Sequence, residues 1–149
     1  MKEKIIVFLA RGLGSGLLKP APGTWGSLTA VLLGGICYFL TKQGLPLWFI
    51  LIAAGLGIFI CDQGEKYLQK HDAPEIVWDE FVGMWIAMWQ VPVWLWPVSF
   101  ILFRFFDISK IGPIKTIQDL DGGLGIMADD VLAGIIGRLV LAVVIFFLF

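Results

Sequence analysis

Five stretches of this chain are almost free of charge, and they decide where it can fold. Residues 24–40, 45–61 and 131–149 are apolar over most of their length, near the roughly 20 residues a helix needs to cross a bilayer. Residues 77–91 and 93–106 are apolar too, but shorter. Fifteen helical residues rise about 22 Å, against a hydrocarbon layer of about 30 Å. This pair either continues as helix into the polar layers or forms a re-entrant hairpin tipped by VPVWLWP; two full crossings is the preferred reading. Trp89, Trp94 and Trp96 near that tip suit an interfacial aromatic belt. The expected fold is an all-α polytopic membrane bundle of about five spans, two of them short, forming one domain over residues 1–149. Composition agrees: 58% of residues are hydrophobic and 15% charged, where a soluble domain has about 45–50% and about 25%.

Charge placement gives the orientation. With five spans and the N-terminus inside, the cytoplasmic segments are 1–23, 62–76 and 107–130. They carry Lys2, Lys4, Arg11, Lys19, Lys66, Lys70, Lys110 and Lys115, whereas the opposite face carries only Lys42. The positive-inside rule then puts the N-terminus in the cytoplasm. Every Asp and Glu falls on the same side or at that end of a span, which the rule does not require. A net charge of −1 leaves no basic footprint for nucleic acid. The apolar stretch IIVFLA after the basic start is shorter than the core of a secretory signal, about 7–15 residues. Cys37 and Cys61 match no metal spacing and read as small buried hydrophobes.

Four polar constellations interrupt the apolar pattern. Pro22-Gly23-Thr24-Trp25-Gly26-Ser27 opens the first span. Thr24 or Ser27 can cap that helix, and its free N–H groups could instead hold a phosphate; from spacing alone the cap is preferred. Asp79-Glu80 opens the third span. One acid there suits the helix dipole, but a second charge beside hydrocarbon is expensive, and a bound cation removes the cost. Arg104, Asp107 and Lys110 are spaced three apart along one helix face, either as a snorkelling ion pair or as a metal ligand flanked by phosphate clamps. Finally, Asp121-Gly122-Gly123-Leu124-Gly125 leads to Asp129-Asp130 at the expected start of the last helix. Asp79, Glu80, Asp107, Asp129 and Asp130 thus form an oxygen-only donor set on one face, of the kind that suits Mg²⁺. Asp62 and Lys66 form an i, i+4 pair on a solvated face, His71 reads as a loop residue, and Arg138 either snorkels or neutralises the acids.

The stretches PAPGTWGS, HDAPEIVWDEFVGMW, FRFFDISKIGPI and DGGLGIMADDVLAG resemble the phosphatidylglycerophosphatase A family, in order and spacing, from about Gly12 to Gly137. One departure is Lys110-Ile111, where the family more often has Lys-Pro. The resemblance implies a Mg²⁺-dependent lipid phosphatase of the bacterial inner membrane, hydrolysing phosphatidylglycerophosphate to phosphatidylglycerol and phosphate at the cytoplasmic face. It further implies that Asp79, Glu80, Asp107, Lys110, Asp129 and Asp130 belong to the site. The residues narrow the mechanism independently. Six positions after Cys61 comes Tyr67, so there is no Cys-x₅-Arg, and one histidine cannot serve a two-histidine phosphatase. Metal-activated water with an Asp as general base remains, or less favourably an Asp nucleophile, with Thr24, Ser27, Arg104 and Lys110 toward the phosphate. A carboxylate-lined transporter would carry polar groups near midspan, where this chain is apolar. A phosphatidyltransferase would need a longer signature than Asp121-Gly122.

Overall fold

The computed structural model describes residues 1–149. It is all helical: α1 (Lys2–Ala10), α2 (Pro22–Thr41), α3 (Leu47–Leu68), α4 (Trp78–Met88), α5 (Trp96–Ser109), α6 (Pro113–Ile117) and α7 (Gly122–Leu148), with short 3₁₀ turns at residues 15–17 and 93–95. Three helices, α2, α3 and α7, are long and apolar enough to cross a membrane. Their boundaries have local causes. Pro22 starts α2, where its missing N–H costs nothing. Lys42 and Gln69 end α2 and α3 in the left-handed conformation. One expectation is corrected here: the last helix begins at Gly122, about two turns before the first residue expected from its apolar run, because the glycine-rich stretch is itself helical.

Burial runs opposite to that of a water-soluble domain. Phe146, Phe147 and Leu148 are at least 70% exposed, while Asp79, Asp107, Asp129 and Asp130 are at most 7% exposed. Apolar side chains that face outward and acids that face inward fit a lipid solvent.

α4 packs centrally between α2, α3, α5 and α7. It has 11 residues and α5 has 14, about 16 and 21 Å at 1.5 Å per residue. Irregular chain at residues 89–95 completes the pair, and Trp94 meets the ring of the final residue, Phe149, edge-on at 5.8 Å. The tip therefore reaches the same end of the bundle as the C-terminus of α7. Non-helical backbone at such depth needs internal hydrogen-bond partners. Arg138 donates Nε–H to the Trp89 carbonyl at 2.7 Å, and Trp96 donates Nε1–H to the Val91 carbonyl at 3.0 Å. Of the three tip tryptophans only Trp94 is exposed; Trp96 is buried, so the aromatic belt shrinks to one residue.

Candidate metal centre

Two indole hydrogen bonds and one glycine contact fix α4. Trp78 donates to the Ala53 carbonyl of α3 at 3.1 Å, and Trp85 donates to the Ala30 carbonyl of α2 at 3.0 Å. Buried Trp N–H groups need such partners. On the α7 side Gly83 faces Gly134 so closely that a Cβ on Gly134 would lie 3.2 Å from the Gly83 Cα. Backbone contact of this kind is what small residues permit between membrane helices. It brings the first turn of α4, with Asp79 and Glu80, against the stretch of α7 that carries Asp129 and Asp130.

The same acids are joined by Asp107 from the end of α5. Ligand oxygens of Asp79, Asp129 and Asp130 lie within 4.8 Å of one another, and so do those of Glu80, Asp107 and Asp130. Two cations share the space. Arg104 pairs with Asp107 and reaches Glu80 at 3.5 Å. Lys110 Nζ lies 2.5 Å from Asp129, 3.1 Å from Asp107 and 3.9 Å from Asp130. Three carboxylate oxygens are buried and have no hydrogen-bond partner: Asp79 Oδ1, Glu80 Oε2 and Asp130 Oδ2. Unpaired buried anionic oxygens are costly, so this donor set fits a hard divalent cation.

Lys110 caps α5 with φ 49°, a left-handed angle that costs a non-glycine residue about 1–2 kcal/mol. The turn carries its ammonium back over Asp107 and across to α7. Burial disfavours that charge, but Asp130, Asp107 and Asp129 outweigh it and hold the ammonium well above its ordinary range.

The structure brings all five expected carboxylates, Arg104 and Lys110 to one end of the bundle. Two local expectations change. Asp129 and Asp130 are the eighth and ninth residues of α7, beyond the first turn where a helix dipole acts. Neither Thr24 nor Ser27 caps α2, whose N-cap is Ala21 with no side-chain bond. Ser27 is fully buried and donates its hydroxyl to the Gly23 carbonyl at 2.9 Å. What α2 brings to the site is backbone: a Cβ on Gly26 would lie 2.8 Å from Glu80 Oε2, and one on Gly23 would lie 3.1 Å from Arg104 Nη1.

Of the remaining polar residues, Asp62 and Lys66 pair at 2.6 Å as expected. His71 is exposed on its loop, 3.0 Å from Glu65. Arg138 meets no carboxylate; its Nε is spent on the Trp89 carbonyl. Sequence reasoning missed this tether, as well as the Gly83–Gly134 contact. A lone cation inside an apolar span and a glycine in each helix were the only signals available. A cavity of about 500 Å³ lies at the other end of the bundle, beside Lys42, Trp89 and Gln90. It contains no acid and is remote from the carboxylates.

A family model described as phosphatidylglycerophosphatase A matches residues 8–145. A Haemophilus influenzae protein named phosphatidylglycerophosphatase A is 46% identical over 134 residues, covering 87% of this chain and 82% of the relative. The Escherichia coli protein of the same name is 41% identical over 132 residues, 86% and 76% of the two chains. A Bacteroides thetaiotaomicron protein, provisionally named a phosphatidylinositol-3-phosphatase, is 36% identical over 146 residues, 92% and 91%. No solved structure matches the chain.

Proposed function

Because the chain belongs to the phosphatidylglycerophosphatase A family and is a phosphatase, we propose that it hydrolyses the terminal phosphomonoester of phosphatidylglycerophosphate, with Mg²⁺ as cofactor, at the carboxylate centre. The observation that carries the metal reading is the imbalance at the site. Five carboxylates face two cations, and three buried oxygens have no partner. Asp79, Glu80, Asp107, Asp129 and Asp130 would hold the ion. When bound, Mg²⁺ supplies neutralisation of phosphate charge and activation of water.

The chain's own residues supply the rest. Arg104 and Lys110 face the phosphate oxygens, where a charged donor is stronger than a neutral one. A carboxylate oxygen of the set takes the proton of the attacking water as the new P–O bond forms, and returns it to the glycerol oxygen as the ester P–O bond breaks and the alcohol leaves. The N-terminal backbone of α2, kept bare by Gly23 and Gly26, forms a wall of the site.

The lipid setting follows from α2, α3 and α7, which are long and apolar enough to cross. We read the α4–α5 pair with its irregular tip as the other two crossings, giving five. The lysine distribution supports placing the N-terminus and the acids on the cytoplasmic side of a bacterial inner membrane.

The test is phosphate release by the purified protein from defined lipid phosphates, with Mg²⁺ and with chelator. Release from phosphatidylglycerophosphate that stops on chelation and returns with Mg²⁺ is expected; full activity in excess chelator sinks the metal reading. The Bacteroides relative's name motivates a second substrate, phosphatidylinositol 3-phosphate. A higher kcat/KM on that lipid would move the headgroup assignment and leave the site chemistry in place.

A further inference from the structure

Two carboxylate triads meet at this centre, and they have one residue in common. Asp79, Asp129 and Asp130 form the first; Glu80, Asp107 and Asp130 form the second. We propose that the centre binds two divalent cations, one in each triad, with Asp130 as the shared carboxylate between them. The inference rests on the divalent-metal reading above, and adds the number of ions and the division of ligands.

Asp130 has the right form for a shared ligand. It is 2% exposed, its Oδ2 has no partner, and its Oδ1 meets only Lys110, at 3.9 Å. Each triad also contributes its own unpaired buried oxygen: Asp79 Oδ1 in the first and Glu80 Oε2 in the second. One ion seated in either triad would leave the other triad's oxygen without a partner.

The internal cations divide the same way. Arg104 serves only the second triad, through Glu80 and Asp107. Asp79 has no cationic partner at all. Lys110 stands between the triads, bonded to Asp129 of the first and Asp107 of the second. Counted formally, five carboxylates with Arg104 and Lys110 leave a charge of −3. One divalent ion leaves −1, which still repels a phosphate group of about −1.5 to −2. Two give +1, and only then does the centre attract such a group. The α7 dipole cannot substitute for an ion at Asp129 and Asp130, which lie in the third turn of that helix; only Asp79 and Glu80 sit in a first turn, that of α4.

Counting ions tests this without reference to turnover. Metal-stripped protein in detergent is titrated with Mn²⁺ alone, and free Mn²⁺ is followed by electron paramagnetic resonance. The expected result is two ions per wild-type chain and an exchange-coupled signal once both are bound. Asp79→Asn and Asp107→Asn should each lower the count from two to one, and Asp130→Asn should remove the coupling. A single uncoupled ion in the wild type overturns the two-ion inference while the metal-dependent reading stands. No binding at millimolar Mn²⁺ overturns both. The decisive count uses the wild-type chain, so it holds even where a variant fails to fold.

Discussion

At Lys110 a strained backbone angle and a half-buried charge coincide. Its φ of 49° is tolerated because the turn puts the ammonium among Asp107, Asp129 and Asp130. Lys110→Met and Arg104→Met each remove a charged hydrogen bond worth about 1.5–3 kcal/mol, or about 10- to 150-fold in kcat if it acts in the transition state. That loss should not respond to added Mg²⁺. Replacing Asp79, Glu80, Asp107, Asp129 or Asp130 by its amide removes charge from the proposed metal donors, so the rate should fall steeply and rise again, in part, as Mg²⁺ is raised. Near-normal rates at limiting Mg²⁺ in all five amides would remove the carboxylates from the chemistry. Because the Lys110 ammonium is held above its ordinary value, its contribution is complete below that value and is lost only as pH rises through the higher folded one. Wild-type and Lys110→Arg profiles should therefore be parallel between about pH 6 and 9, both positions being charged throughout. Thr24 caps nothing, so Thr24→Ala should leave the melting temperature nearly unchanged, and any fall in kcat would mark a contact with substrate.

Between elements, placement depends on contacts with almost no sequence signature. Gly134 touches Gly83 backbone to backbone; Gly134→Ala must push α7 from α4 and separate Asp130 from Asp79. Weaker Mn²⁺ binding with helix content preserved is the expected outcome, and unchanged affinity would show that the acids do not depend on this contact. Arg138→Met leaves the Trp89 carbonyl without its donor. An unpaired buried group costs about 1–3 kcal/mol, so the melting temperature in detergent should fall. The three long helices and the five acids were legible because apolar length and clustered charge are local signals. The start of α7 was not, since Gly122, Gly123 and Gly125 read as loop until their close packing on α3 and on the turn before α7 is known. Arg138 was visible as an anomaly, but its partner lies 49 residues away, a distance no local pattern spans. Thr24 and Ser27 resembled a cap because their types are right; the helix simply begins two residues earlier.

For the molecule as a whole, the acids lie at one end and Lys42 at the other, joined by α2 and α3. Single cysteines at Lys42 and Lys115, placed in a chain lacking Cys37 and Cys61, should react from opposite sides of sealed vesicles. Labelling from the same side would reverse the five-crossing assignment. The acids are also nearly enclosed: Asp79, Asp107 and Asp129 are 7% exposed and Asp130 is 2% exposed, among helices whose outer faces are apolar. On the proposed function, a headgroup that reaches them does so with its acyl chains still in the hydrocarbon. Encounter is then a two-dimensional search. Velocity should follow the mole fraction of substrate in the film, falling on dilution with inert lipid even when total substrate per volume is held constant, and the free headgroup phosphate in solution should hardly compete.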